Sequence, residues 1–172
     1  MRKKQALIYF IAGALVLVLG FVVNLWLIEP DELQNPKIKL LIASAISDEA
    51  TFNTAARAAG FQHSPDVKGI IDSLKRIDAN NVSSDGWAVE TTTSVTNVTP
   101  VVVMAFSGGK NVFAVTTKGA RPDVATALKL SDVAAKNVAF SGWLKCSSGQ
   151  KLIFAGATTN GGYNIFGIFN CP

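Results

Sequence analysis

Apolar and polar positions alternate in three different ways along this chain. From Ala6 to Ile28 the residues ALIYFIAGALVLVLGFVVNLWLI run without a charge. From Ile38 to Ala59 Leu, Ile and Ala recur at helical spacing, and from Asn81 onward short β-rich runs are divided by Gly, Ser and Asn. The first regime predicts a transmembrane helix, because at 1.5 Å of rise per residue it covers roughly 35 Å against about 30 Å of hydrocarbon. A single helix also satisfies its own backbone in lipid. Arg2, Lys3 and Lys4 precede the run and Glu29, Asp31 and Glu32 follow it, which predicts a cytoplasmic N-terminus and an outer remainder. The run closes on Trp26-Leu27-Ile28-Glu29-Pro30, bulky where a signal peptidase needs small residues, so an uncleaved signal anchor is expected. Asn24 reads as an interfacial residue beside Trp26, and Gly13 and Gly20 lack the GxxxG spacing of a helix pair.

The second regime predicts one or two helices after a short polar spacer, EPDELQN. Asn35 is suited to cap a helix that begins at Pro36, whose missing N–H is not needed there. Ser47-Asp48-Glu49 looks like the start of a second helix and Gly60 its end. Leu41, Ala45, Phe52, Ala55 and Ala59 form the expected inward face. Between Gln62 and Asn81 two readings compete. Ser64-Pro65 with Val67, Ile70, Ile71 and Leu74 has helical spacing, while Gly69 to Ile77 equally suits a first strand.

The third regime contains GWAVETTTSV, PVVVMAF, NVFAVTT, NVAFSGWL, KLIFAGAT and YNIFGIF, separated by turn clusters such as Ser107-Gly108-Gly109-Lys110 and Thr159-Asn160-Gly161-Gly162. Such spacing predicts a mainly β fold, an antiparallel sandwich or barrel. Arg121 to Lys136 breaks the rhythm and predicts a connection with one or two helical turns that begin near Pro122. The organisation expected is residues 1–5 cytoplasmic, 6–28 transmembrane, 29–66 spacer and helical region, and 67–172 the β domain.

Charge and cysteine content narrow the function. The formal charge of +4 comes largely from the three cytoplasmic cations, so the outer part has no basic footprint for nucleic acid and none is expected as a partner. Cys146 and Cys171 are the only cysteines, and in an oxidising compartment an even pair predicts a disulfide that ties the last strand to the end of the Val138–Leu144 strand. No CxxC motif or second histidine supports a redox or metal role.

Two short patterns add a resemblance. Gly86-Trp87-Ala88-Val89 follows Gly69-Ile70-Ile71-Asp72, and Gly119-Ala120-Arg121-Pro122-Asp123-Val124-Ala125 precedes Phe140-Ser141-Gly142. Together they resemble a bacterial envelope β-sandwich domain that carries a Gly-Trp-Ala strand and an Arg-Pro-Asp-Val-Ala connection, often attached to membrane-embedded sugar-transfer proteins. The resemblance spans about residues 69–172 and implies an immunoglobulin-like sandwich, and it tips the ambiguous segment toward strand. Phe140 before Ser141-Gly142 and Trp143 after it depart from the expected Ser-Gly-Phe. The order of apolar helix, helical region, sheet and late cysteine pair also resembles type IV pilin-like subunits, although the processing glycine with Phe-Thr-Leu-Ile-Glu is absent; the chain has Lys4-Gln5-Ala6-Leu7-Ile8.

Catalysis is not expected. There is no GxSxG elbow, His63 is the only histidine and reads as a surface residue, and Asp85, Glu90, Asp123 and Asp132 do not single out a pair. No cofactor or metal site is expected. Arg121 and Asp123 are expected to pair locally. Trp87, Trp143 and Tyr163 are expected to anchor the sandwich core, with a sugar-stacking ligand face as the lesser alternative. The expected function is that of an envelope protein in a bacterial inner membrane. Its outer domain, periplasmic or extracellular, serves as an accessory or binding subunit for a protein partner or glycan; a structural subunit of a pilus-like assembly is the alternative.

Overall fold

A computed structural model describes residues 30–91, 100–130 and 134–172. The chain divides into Met1–Pro30 and Asp31–Pro172, and the expected transmembrane helix at residues 6–28 lies outside the described residues. Among the described residues no helix is long and apolar enough to cross a membrane.

Among the described residues three helices come first, α1 (Asp31–Gln34), α2 (Pro36–Ile42) and α3 (Glu49–Ala58). Asn35 caps α2, its side chain accepting from the Lys37 N–H, with Pro36 in the first turn. Asp48 caps α3 by accepting from the Thr51 N–H at 2.8 Å, while Thr51 Oγ1 accepts from the Asp48 N–H at 3.0 Å. Hydrogen bonding from Thr51, its backbone N–H foremost, holds the exposed Asp48 carboxyl below its ordinary range. Gly60, at φ +82°, ends α3 where a side chain would be strained. The expected inward face needs one correction. Ala45 is exposed and Ile46 is buried instead, because residues 43–48 leave the helix and break its 3.6-residue phase.

The strands are β1 (Gln62–His63), β2 (Val67–Arg76), β3 (Asn81–Glu90), β4 (Val101–Ser107), β5 (Lys110–Thr116), β6 (Ala139–Lys145), β7 (Lys151–Thr158) and β8 (Gly162–Asn170), with α4 (Pro122–Leu128) and a 3₁₀ turn (Ala134–Lys136) between β5 and β6. The ambiguous segment is strand. The fold is mainly β, with a five-stranded sheet ordered β1-β8-β7-β4-β5 and a three-stranded sheet ordered β2-β3-β6. The pairings among these strands are antiparallel except that of the two-residue β1 beside β8.

The five-stranded sheet is covered on both faces. Val102, Met104 and Phe106 of β4 and Ile153, Ala155 and Ala157 of β7 meet Ile38, Leu41, Phe52 and Ala56 of the helices. The alternate residues Val101, Val103, Ala105, Leu152 and Phe154 meet Val67, Val82, Phe140 and Leu144 of the three-stranded sheet. That double burial explains why β4 and β7 read as continuous apolar runs. Where β2 approaches β7 and β8, the Phe166 ring fills the space left by Gly69 and Gly156; a Cβ at those glycines would stand 2.6 Å and 2.3 Å from it.

The disulfide joins the sheets. Cys146, after β6, and Cys171, after β8, are bonded with their Cα atoms 6.2 Å apart.

Candidate functional site

The outer face of the three-stranded sheet is built by strict alternation. In β3 Val82, Ser84 and Ala88 are buried, which turns Ser83, Asp85 and Trp87 outward. In β6 Phe140 and Leu144 are buried, so Ser141, Trp143 and Lys145 face out. Register then sets cross-strand rows. Lys75, Ser83 and Trp143 form one, Ser73, Asp85 and Ser141 the next, and Ile70, Trp87 and Ala139 a third.

The connection after β5 covers one end of this face. Val124 of α4 packs on Val89 and Val138, with Leu128, Leu130 and Trp87 around them. Pro122 starts α4 without needing an N–H partner. Arg121 fastens it. Its Nε and Nη2 donate to Asp123 at 2.9 and 2.7 Å, and its Nη1 donates to Asp72 at 2.6 Å. The hydrogen bond from Arg121 holds the exposed Asp123 carboxyl down at about 2, and hydrogen bonds to Asp123 and then Asp72 raise the Arg121 guanidinium. Asp72 is the extra residue of a bulge, since Ile71 pairs with Gly86 and Ser73 with Asp85. The bulge presents the carboxylate on the outer side.

The uncovered end carries Trp143, which is 75% exposed. Ser83, Asp85, Ser141, Lys75 and Lys145 surround it at their register positions, a mixture of hydroxyl, carboxylate and ammonium groups. An aromatic face flanked by such groups suits a sugar ring or the amphipathic surface of a protein.

Of the three aromatic candidates, Trp87 and Trp143 lie on the outer face of the three-stranded sheet and Tyr163 does not. Trp87 is half-buried beside α4. Tyr163 is fully buried on the other side of the five-stranded sheet, packed on Phe52 and donating its hydroxyl to Asn53 Oδ1 at 2.9 Å. Only Trp143 is open to a ligand. Its orientation was readable from the alternation of Phe140, Gly142 and Leu144 in AFSGWLK; the exposed indole is what core packing would not produce.

His63 is exposed, its Nε2 3.2 Å from Asn164 Oδ1. A groove of about 320 Å³ beside it is lined by Glu49, Asn53, Asn164, Ile165, Gly167 and Ile168. Glu90, nearly buried, accepts from Thr158 Oγ1 at 3.5 Å and Asn160 Nδ2 at 3.4 Å. Among the described residues no group of His, Cys, Asp and Glu could hold a metal ion. Asp132 lies outside the described residues.

No protein-family model, curated protein or solved structure matches the chain.

Proposed function

We propose that this chain is a non-catalytic, membrane-anchored envelope protein whose outer domain recognises a glycan or protein partner through the open face of the three-stranded sheet. The observation that carries the reading is Trp143, exposed on a regular strand among polar neighbours rather than folded into a core. The apolar run at residues 6–28 with its flanking charges supports a tether in a bacterial inner membrane, N-terminus cytoplasmic. Two sheets sharing one core support an immunoglobulin-like β-sandwich with an added helical layer. Confinement at a membrane raises the local concentration of the face, so one aromatic platform of modest affinity suffices.

A glycan fits the polar surround best. The test is titration of the full chain with soluble peptidoglycan fragments and chito-oligosaccharides, read at the indole N–H resonances of the three tryptophans. Saturable movement of the Trp143 resonance is the expected result, with the heat of binding of the same fragment lost in Trp143→Ala while stability changes by less than about 0.5 kcal/mol. A Trp143 resonance unmoved by about 10 mM of every fragment would exclude glycan recognition at this face.

Helices packed on one face of an antiparallel-rich sheet, with a late disulfide, support the pilus-like subunit as a second reading. That reading requires N-terminal processing and appearance in sheared surface fractions, whereas the tethered reading requires neither.

A further inference from the structure

The two sulfurs of the disulfide have different surroundings. Arg76, in β2, donates from Nη1 to the carbonyls of Ala79 at 3.0 Å, Cys146 at 3.1 Å and Asp78 at 3.3 Å. Its Nη2 lies 3.1 Å from Cys171 Sγ and also donates to the Pro172 carbonyl. A guanidinium, charged at every accessible pH, therefore touches the sulfur of Cys171. The adjoining groove is lined by the other cysteine. Both cysteines are buried, but a groove of about 460 Å³ lined by Asn80, Asn81, Lys145, Cys146, Ser147 and Gln150 reaches Cys146. Lys145 places a cation where an anionic thiolate would approach.

We propose that Cys146 is a thiol-exchange site, the sulfur attacked by an external thiolate, and that Cys171 is the leaving thiolate. A bond forms between the incoming sulfur and Cys146 Sγ, the Cys146–Cys171 bond breaks, and its electron pair passes to Cys171 Sγ beside Arg76. The reductant is a small thiol or the dithiol of an oxidoreductase. A second thiolate from it then displaces Cys146 and completes the two-electron reduction. A stabilised thiolate leaves faster, which directs attack to the opposite sulfur. In reverse, the oxidant's mixed disulfide sits on Cys146 and Cys171 resolves it. Cys146 also precedes Cys171 in the chain, so it is available first during synthesis.

The test exposes the native full chain to reduced glutathione, quenches with acid at early times and maps the adduct by peptide mass. Glutathione on Cys146 in about tenfold excess over Cys171 is the expected result. Equal adducts, an excess on Cys171, or no adduct before unfolding would overturn the proposal. Arg76→Gln with the disulfide intact is expected to react about tenfold more slowly and to lose the preference; an unchanged rate and partition would remove Arg76 from the step. In Cys146→Ser the alkylation of Cys171 against pH is expected to show a midpoint below the ordinary thiol value of about 8.5. Adding Arg76→Gln is expected to raise that midpoint. A midpoint at the ordinary value in the folded single variant would contradict the assigned leaving group.

Discussion

Arg121 and Asp72 stand 49 residues apart in sequence and meet at 2.6 Å, joining the connection after β5 to the bulge of β2. The local Arg121–Asp123 pair expected from sequence is present, but it forms half of a bridge whose other end is the sheet. Arg121 thereby holds α4 over Trp87 and leaves Trp143 uncovered.

This bridge makes stability depend on acid. The folded Asp123 carboxyl, at about 2, lies below its ordinary 3.8. Its contribution is complete above about pH 4 and is lost as pH falls toward 2. Between those values we expect the wild-type chain to lose stability more steeply than Asp123→Asn, with the two curves parallel above pH 5. Urea denaturation across this range checks it; parallel curves down to pH 2 would contradict it. Arg121→Gln is expected to cost about 0.5 kcal/mol for the partly exposed link to Asp72.

Gly86 has no room for a side chain. A Cβ there would stand 2.2 Å from the Ile70 carbonyl oxygen and 2.8 Å from the Phe140 ring. The backbone oxygen belongs to a paired strand and has little room to give. Gly86→Ala is expected to destabilise the domain by about 3 kcal/mol. Chemical denaturation reads this as a lower midpoint, and an unchanged midpoint would contradict the close approach.

Ser84 lies between the sheets, almost fully buried, and its hydroxyl has no hydrogen-bond partner among the described residues. Removing an unsatisfied buried hydroxyl relieves a desolvation cost. Ser84→Ala is therefore expected to raise stability by about 1 kcal/mol, seen as a higher melting temperature.

Opening the disulfide releases a loop of 25 residues. In the chain-entropy picture the Cys146→Ala, Cys171→Ala double variant is expected to lose about 3 kcal/mol. Equilibrium unfolding of the oxidised and double-variant chains measures the difference directly.

Much of the architecture was legible because burial on two faces leaves an unmistakable mark. Val101 to Phe106 and Leu152 to Ala157 carry unbroken apolar runs, and the turn glycines between strands have no other use. The ambiguity at residues 67–74 has a physical cause. Val67 and Ile71 face inward before the bulge, and Leu74 does so after it. The extra residue at Asp72 thus converts a period of two into the spacing of a helix. The partnership of Arg121 with Asp72 was invisible, since nothing local connects them. Ile46 replaces Ala45 in the core for a similar reason, because the phase of a helix cannot be carried across a break. Of the three aromatic candidates, Trp143 alone is open in the structure. Tyr163 is a core residue whose polar tip finds Asn53.

The proposed role of the Trp143 face as a tethered binding surface requires that residues 6–28 remain attached. The most direct measurement is the intact mass of protein extracted from membranes, with and without reductant before alkylation. We expect the full chain, or the chain lacking Met1 alone, with cysteines alkylated only after reduction. Cleavage beyond Ile28 would contradict the tether, cleavage near Gln5 would favour the pilus-like subunit, and freely alkylated cysteines would contradict an oxidised outer domain.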